Sequence, residues 1–507
     1  MTSYIRYAIF LWTCVQFDFR ILAFSHVRRI GSSYYSHPSS PMPSQYVLHA
    51  VPWKDYPFCA EAFTEITDDI KHCSEISRPS AAVCARRLDK DISAREWMEN
   101  IEQREGSIHG VGAYSVLRCD VSFPATCRET NHASNYDANF HWNVWGIDFH
   151  MDRLCSSYSM LLESQILVRP CSLNDTSGFE GQIQTSGNLI KALLDEAAKS
   201  LLEQNTTKQP DPINILESTE LHGANRHRTL MLTLLWTPPK HDHITTSNVS
   251  RPTVRGHASF AGPSRPSIED KMPQPISACL SIPKELTPEA LALLPRRHVE
   301  NTPNPTEASV GASAKISSWC RVRRPLEDPS IFKVPGMNVG EVLLVRNSSN
   351  AASSNFIESL EILEGLTSNV FVIYTDGTIR SAPATNVLPG YSRHLVMKAL
   401  LKIDPQLAAY NGPKLIFEDS APSVQDALAG LWSEVFVTSS IRLLTPVNRI
   451  VIPHVKTSHH DSPTEMTTLW QGDRVVQTTK IRSALFRIGL DESSSFRQLV
   501  DKFPTKS

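Results

Sequence analysis

The sequence predicts a two-domain protein of the α+β or mixed α/β class. Three observations predict this class: strand-like and helix-like segments alternate, they fall into two blocks, and a polar stretch at 239–274 separates the blocks. The 507 residues are enough for roughly two to four domains. We therefore predict a small N-terminal α/β domain at 44–238 and a larger C-terminal domain at 275–507, with 239–274 as a linker or insertion.

Composition limits the location and the partners of the chain. Residues 1–43 carry four arginines, several serines and a single acid, which fits either a transit peptide or a disordered start. Ten scattered cysteines without a Cys-x-x-Cys pair are typical of reduced thiols. We predict an intracellular protein, in the cytosol or, if 1–43 is a transit peptide, the mitochondrion. A net charge of −2 gives no reason to expect nucleic acid or an anionic membrane as a partner.

The first block mixes helical and strand patterns. Helical spacing of apolar residues predicts helices at 59–73, 81–104, 150–157 and 186–203. Apolar runs predict strands at 112–119, 142–149 and 229–236. The polar stretch 120–139 predicts a long hairpin insertion, and 239–274 is too poor in large apolar residues to form a core of its own.

The second block follows the same alternation. Strands are predicted at 276–282, 340–345 and 370–374, with a further strand at Phe436 that ends before the hydroxyl residues 439–440. Helices are predicted at 316–327, 391–400 and 494–503. Asp376 and Gly377 predict a hairpin turn after the third of these strands, because glycine tolerates the positive φ that such turns need.

The stretch 363–393 carries the strongest chemical signal. Glu364 precedes a small, polar turn and the apolar strand 370–374. Gly390 and Ser392 open a helix, and the free N–H groups of a helix start suit a phosphate. An acid beside a phosphate site is what a phosphorylated cofactor with a pyridine ring requires.

These motifs resemble one family of enzymes. Glu-Gly-x-x-Ser-Asn-x-Phe, followed by a strand, a hairpin and Leu-Pro-Gly-x-Ser-Arg, is similar to the fold-type IV pyridoxal-phosphate enzymes. That family contains branched-chain and D-amino-acid aminotransferases and aminodeoxychorismate lyase. The resemblance implies pyridoxal 5'-phosphate as cofactor, an amino acid and a 2-oxo acid as substrates, and a homodimer, with no metal, nucleic acid or membrane.

The resemblance also assigns roles to residues. Glu364 is implied to face the pyridine nitrogen, and Tyr114, in Gly-Ala-Tyr-Ser-Val-Leu-Arg, to face the substrate. The implied phosphate ligands are Arg153, in His-x-x-Arg-Leu-x-x-Ser, with Tyr391, Ser392, Ser439 and Ser440. The residues alone leave ordinary alternatives: a loop-capping acid for Glu364, a strand aromatic for Tyr114, a helix-surface arginine for Arg153 and turn-forming serines.

Two lysines are candidates for the amine that forms an aldimine with the cofactor. Lys315 and Lys333 lie 49 and 31 residues before Glu364. In the family a helix separates the lysine from the strand before the glutamate turn. Lys333 lies only eight residues before Glu341, too few for a helix and its turns. We therefore predict Lys315, which leaves room for the helix at 316–327, with a solvated surface lysine as the alternative.

Two other functions fit the same pattern. A lyase of the aminodeoxychorismate type would use the same lysine without a 2-oxo acid acceptor. A non-catalytic relative would keep the fold without the reaction. Cys320 stands where branched-chain aminotransferases have a tyrosine near the ring hydroxyl, so the amino acid and its L or D handedness stay open.

Overall fold

Two β-sheets with separate cores organise the described part of the chain. The computed structural model describes residues 58–65, 82–88, 92–124, 140–163, 179–207, 225–238, 252–261, 272–281, 314–323, 339–348, 357–402, 414–453 and 466–504. The chain divides into two compact units, and all of these residues belong to the second, Trp53–Ser507. The predicted targeting segment at 1–43 lies outside the described residues. The mixture of strands and helices agrees with the predicted class, and the division into domains stays a prediction.

The first sheet has six antiparallel strands. They are β1 (Cys59–Glu65), β2 (Ala82–Arg87), β3 (Ala113–Pro124), β4 (His141–Val144), β5 (Asn225–Thr237) and β6 (Thr253–Phe260). Their order is β2-β1-β6-β5-β3-β4, so β3 and β5 confirm the strands predicted at 112–119 and 229–236. Apolar side chains at alternate positions of these strands form the first core.

Three helices pack against the first sheet. They are α1 (Ala94–Gly110), α2 (Ile147–Glu163) and α3 (Glu180–Thr207). α1 begins at a capping box, in which Ser93 Oγ accepts from Glu96 N and the Glu96 carboxylate accepts from Ser93 N. α3 confirms the amphipathic helix predicted at 186–203. Its Leu193 packs so closely on β6 that a Cβ at Gly256 would lie 2.9 Å from Leu193 Cδ1.

The second sheet has nine strands, of which six close into a ring. They are β7 (Ile276–Ser281), β8 (Val339–Asn347), β9 (Leu360–Gly365), β10 (Asn369–Tyr374), β11 (Thr378–Arg380), β12 (Ile416–Glu418), β13 (Trp432–Ser439), β14 (Leu443–Pro453) and β15 (Met466–Gln471). The ring runs β10-β13-β14-β7-β8-β9 and returns to β10. The closing pair joins Glu364 to Asn369. The predicted Asp-Gly hairpin joins β10 to β11, with Gly377 at φ 92°.

Five further helices follow in the sequence. They are α4 (Ser318–Arg323), α5 (Tyr391–Lys402), α6 (Val424–Leu428), α7 (Val476–Asp491) and α8 (Phe496–Lys502). α5 and α7 pack on each other and on β13, over a core in which the rings of Phe371 and Phe436 stack at 5.0 Å. α8 confirms the helix predicted at 494–503. It packs with the first sheet, because Leu499 and Phe503 join the first core.

Three segments differ from the sequence prediction. Residues 59–65 and 82–87 are strands rather than helices, and 253–260 is a strand inside the predicted linker. In runs this short the spacing of apolar residues fits a helix and a strand equally well. Pairing with neighbouring strands therefore decides the secondary structure, and β6 pairs with β1 on one side and β5 on the other. The core side chains of these strands include Ala60 and Ala258, which are too small to signal a buried strand.

The second helix begins earlier than predicted. β4 ends at Val144, and Gly146 at φ 57° turns the chain into α2 at Ile147. The predicted strand 142–149 is therefore too long. A Cβ at Gly146 would also lie 2.3 Å from the ring of Tyr391, so a glycine is required both for its positive φ and for space.

Two other predicted elements extend beyond the described residues. Of the helix predicted at 316–327 the structure describes α4, which ends at Arg323. β3 continues to Pro124, into the predicted hairpin insertion, whose remainder at 125–139 is not among the described residues. Within the described ranges, no helix has the length and apolar character needed to cross a membrane.

Gly489 on α7 tests how tightly the helices pack. A Cβ there would lie 2.0 Å from Trp145 Cζ3. We expect Gly489→Ala to lower the free energy of unfolding by about 1–3 kcal/mol, since overpacking outweighs the gain in helix propensity. Chemical denaturation measures this, with Arg487→Ala on the exposed side of the helix as a control that changes it by less than about 0.5 kcal/mol. A Gly489→Ala protein as stable as the wild type would contradict this packing.

Candidate functional site

Lys315 lies on a segment that pairs with the start of β3. Tyr114 N donates to Lys315 O at 2.9 Å, and Ser317 N donates to Gly112 O at 2.9 Å. Ser317 Oγ accepts from Gly112 N at 3.0 Å, and Lys315 N donates to Ser157 Oγ on α2 at 3.1 Å. Because these bonds hold the backbone on two sides, β3 and α2 together set the position of Lys315.

The amine of Lys315 lies over the ring of Tyr114, with Nζ 4.8 Å from the ring centroid. Burial lowers the pKa of Lys315 well below its usual value, and the positive charges of Arg153 and Arg323 lower it further. This shift favours the neutral amine, which acts as a nucleophile or a base. Burial and the neighbouring Cys320 raise the pKa of Tyr114, so the phenol stays protonated.

Arg153, on α2, has unused hydrogen-bond donors. Its side chain is 8% exposed, and Nε and Nη2 have no acceptor among the described residues. Burial lowers the pKa of Arg153 to about 10, while Tyr114 and Glu364 raise it. A buried guanidinium with two unpartnered nitrogens is stabilised by an anion that accepts from both.

His150 lies one helical turn before Arg153. Its Nδ1 is 2.8 Å from Ser115 Oγ, and Nε2 has no partner among the described residues. Burial lowers the pKa of His150 well below its usual value, and Arg153 and Lys315 lower it further. His150 is therefore a neutral polar group beside the positive charge of Arg153.

Glu364 ends β9, and burial raises the pKa of its carboxyl to about 8. Three groups oppose this effect: Leu388 N, which donates to Oε2 at 3.1 Å, and the guanidiniums of Arg153 and Arg393. Asn369 Nδ2 donates to Leu388 O at 2.9 Å, which bonds the loop before α5 to both residues of the closing pair. An acid of this pKa holds a proton at neutral pH and loses it when a positive charge is placed beside it.

The turn after Glu364 is held by a second buried acid, Glu341 on β8. Its Oε2 accepts from Ser368 Oγ at 2.8 Å and from Thr367 Oγ1 at 3.1 Å. A Cβ at Gly365 would lie 2.8 Å from Glu341 Cδ, so only glycine permits this approach. The predicted Glu-Gly-x-x-Ser motif is thus a turn folded around another strand's carboxylate.

The start of α5 contributes one unpartnered hydroxyl. Ser392 is 2% exposed, and its Oγ has no partner among the described residues. Tyr391 packs its ring 5.2 Å from the ring of His150, and its hydroxyl donates to Glu492 Oε2 at 3.4 Å. The Tyr391 side chain is therefore part of the core, which leaves its backbone N–H as the group available to a ligand.

Ser439 and Ser440 lie in the turn between β13 and β14. Ser439 Oγ accepts from Arg442 N at 3.2 Å, which closes the turn itself. The described residues show no contact from either serine to Arg153 or Glu364. The structure thus gathers Lys315, Tyr114, Arg153 and Glu364 into one electrostatic environment. The start of α5 lies beside it, because Tyr391 contacts His150 and Leu388 N bonds to Glu364.

Several neighbours of this site were missed by sequence reasoning. Trp319 Nε1 donates to Leu366 O at 3.2 Å, which joins the lysine segment to the glutamate turn. The charge of Glu341 raises the pKa of Glu364, and the charge of Arg323 lowers the pKa of Lys315. No local pattern marks Glu341 and Arg323, because their partners lie far away in the sequence. Trp319 and His150 did carry a signal, since they stand in an Ala-Lys-x-Ser-x-Trp and a His-x-x-Arg motif.

Comparisons with known proteins give distant matches to solved structures alone. No family model matches the chain, and no curated protein matches it. A fold IV-transaminase from Curtobacterium pusillum is 14% identical, covering 77% of this chain and 92% of that one, with a TM-score of 0.39. A branched-chain aminotransferase from Thermoproteus uzoniensis is 11% identical, covering 81% and 97%, with a TM-score of 0.40. A PLP-bound hypothetical aminotransferase from Mycobacterium tuberculosis is 13% identical, covering 80% and 97%, also at 0.40.

These values describe a mixed α/β chain with distant similarity to fold-type IV aminotransferases. TM-scores below 0.5 at 11–14% identity establish neither a shared fold nor a shared activity. The function is therefore inferred from the site residues.

The raised pKa of Glu364 predicts a pH-dependent stability. Its pKa is 4.5 when unperturbed and about 8 when folded. The stabilising effect of its proton is fully present below pH 4.5 and is lost as the pH rises through about 8. We expect Glu364→Gln, which cannot lose a proton, to gain stability relative to the wild type across that window, by at most about 1.4 kcal/mol per pH unit.

Denaturant melts from pH 4 to 9 measure this difference. Below pH 4.5 the difference in free energy of unfolding between the two proteins should not change with pH, which serves as the internal control. A difference that stays constant up to pH 9 would show that folding does not shift the pKa of Glu364.

Proposed function

We propose that the protein is a pyridoxal-phosphate-dependent aminotransferase of the fold-type IV kind. It would move an amino group from an amino acid to a 2-oxo acid. One observation carries the proposal: a buried arginine with two unpartnered nitrogens, Arg153, interacts with both a lysine of lowered pKa and an acid of raised pKa. Structural ion pairs leave their donors paired, whereas this arrangement has donors to spare.

The residues present fit pyridoxal phosphate. Arg153 Nε and Nη2 and Ser392 Oγ are buried groups without partners among the described residues, and they would bind the phosphate together with the N–H groups at the start of α5. Glu364 would face the ring nitrogen, and Lys315 would hold the cofactor covalently. When bound, the cofactor supplies an electron-poor ring that withdraws electron density from the substrate Cα.

The side chains of this protein would move the proton and bind the substrate. Lys315 Nζ, neutral because its pKa is lowered, would take a proton from the substrate Cα and deliver it to the carbon on the other side of the substrate nitrogen. Glu364 would keep a proton beside the ring nitrogen, since its carboxyl carries one below about pH 8. Tyr114 Oη, which stays protonated, would donate a hydrogen bond to the substrate carboxylate. We also propose a homodimer, as the resemblance implies.

The lysine is the first prediction to test. We expect purified wild-type protein incubated with pyridoxal phosphate to absorb visible light, and borohydride to fix the cofactor on the peptide that contains Lys315. Lys315→Ala should abolish both signals, because it removes the amine that we propose to bind the cofactor. Lys333→Ala is the matched control and should retain both, as it removes the other candidate lysine. Spectroscopy and peptide mass spectrometry make the measurement.

The outcomes separate the candidate functions. Stoichiometric bleaching by an amino acid, with release of its 2-oxo acid, supports an aminotransferase. Repeated release of pyruvate without a 2-oxo acid acceptor supports a lyase. Protein that stays colourless with added cofactor, or that is labelled equally in the Lys315→Ala variant, contradicts both and leaves a non-catalytic protein.

Arg153 gives a second test, of cofactor affinity. We expect Arg153→Met to raise the Kd for pyridoxal phosphate about 30-fold or more, because the variant loses charge-assisted hydrogen bonds worth about 2–5 kcal/mol. Titration followed by absorbance measures this change. Arg497→Met, on the exposed surface of α8, is the control and should bind as the wild type does. An unchanged Kd in Arg153→Met would remove Arg153 from the phosphate site.

A further inference from the structure

A second group of unpartnered donors lies between the first sheet and α7. Arg118 on β3, Trp145 and Arg482 on α7 are 1%, 0% and 2% exposed. The guanidinium carbon of Arg118 lies 5.2 Å from the centroid of the Trp145 ring. Trp145 contacts Phe486, at 5.3 Å between ring centroids, and packs on Gly489. Arg482, Phe486 and Gly489 are spaced four and three residues apart, so they lie on one face of α7. Phe486 and Gly489 contact Trp145 there, and Arg482 lies within range of the charge of Arg118.

The two arginines use only part of their donor capacity. Arg118 Nε donates to Asp120 Oδ2 at 2.8 Å and Nη1 to Ile441 O at 2.6 Å. Arg482 Nη1 donates to Leu444 O at 3.0 Å. Four buried nitrogens have no acceptor among the described residues: Arg118 Nη2, Arg482 Nε, Arg482 Nη2 and Trp145 Nε1.

These side chains lack any acceptor of their own. Guanidinium and indole N–H groups are donors only, so the three side chains cannot satisfy one another. A single water accepts about two hydrogen bonds and brings no charge. Four unused donors in one buried region therefore favour a charged group that accepts several bonds at once.

The charges in this region are also unbalanced. Arg118 and Arg482 carry two positive charges, and Asp120, which also accepts from Thr229 Oγ1 at 2.7 Å, supplies one negative charge. Burial and, to a smaller extent, the charge of Arg118 together lower the pKa of Arg482 to about 10. Two like charges out of water destabilise the fold unless an opposite charge lies beside them.

We propose that Arg118, Trp145 and Arg482 bind one small monovalent anion, of the halide class, in the interior of the protein. A single negative charge balances the two arginines and Asp120, and a halide accepts hydrogen bonds from several directions. The unused donors are shut off from solvent, which suits a small ion. The same two arginines bind the carbonyls of Ile441 and Leu444, so the anion stabilises the turn between β13 and β14.

Chloride titration of the full-length protein tests the site. The unfolding temperature is measured while sodium chloride replaces sodium gluconate at constant ionic strength, since gluconate is too large for the interior. We expect the wild-type Tm to rise by about 2–5 °C at saturating chloride. Arg482→Met, which removes the charge and keeps an apolar chain, should show no dependence on chloride. Arg487→Met, on the exposed side of the same helix, should keep the wild-type dependence.

A crystallographic measurement covers the case in which Arg482→Met fails to fold. Wild-type crystals grown in sodium bromide should show an anomalous bromide peak bounded by the side chains of Arg118, Trp145 and Arg482. Ordered waters there without a bromide peak would overturn the proposal. A chloride effect of equal size in the wild type and both variants would overturn it too, because it would place the ion elsewhere.

Discussion

The pairing of residues 315–317 with the first residues of β3 is the constraint on which the candidate site depends. The two segments lie about two hundred residues apart, yet four hydrogen bonds join them and α2. This pairing carries the Lys315 amine over the ring of Tyr114 and near the guanidinium of Arg153. Trp319 then connects the same segment to the turn after Glu364. The lysine segment pairs with the first sheet and Glu364 lies in the second, so the bond from Trp319 joins the two halves of the site.

Burial gives the candidate site its chemical character. Loss of water disfavours every charged form, so it lowers the pKa of Lys315 and raises that of Glu364. Arg153 opposes the effect at the acid and reinforces it at the lysine, since its positive charge favours a carboxylate and disfavours an ammonium. Arg153 therefore affects the protonation of both Lys315 and Glu364, which lie on separate segments of the chain. An anion bound to Arg153 would weaken both influences, which couples ligand binding to protonation.

The two groups of unpartnered donors share an architectural cause. Both lie where a helix packs across the region between the sheets: α2 carries Arg153, and α7 carries Arg482. Arg118 and Arg482 bond to the backbone carbonyls of Ile441 and Leu444, beside the turn that joins β13 to β14. We propose that the remaining donors bind anions. Side chains that support the fold thus also create places where an anion is stabilised.

Local interactions were what the sequence alone determined. The Asp376-Gly377 hairpin, the helix start at Gly390 and Ser392, and the amphipathic face of α3 each depend on residues a few positions apart, so their patterns predicted them. The strands β1 and β6 were missed because alanines and glycines mark no face until a partner strand selects one. The tertiary structure decided three features. They are the closing pair of Glu364 and Asn369, the hydrogen bonds of Glu341 to the turn after Glu364, and the proximity of Arg118 to Arg482. These depend on contacts between distant segments, whose burial and charge no single stretch of sequence records.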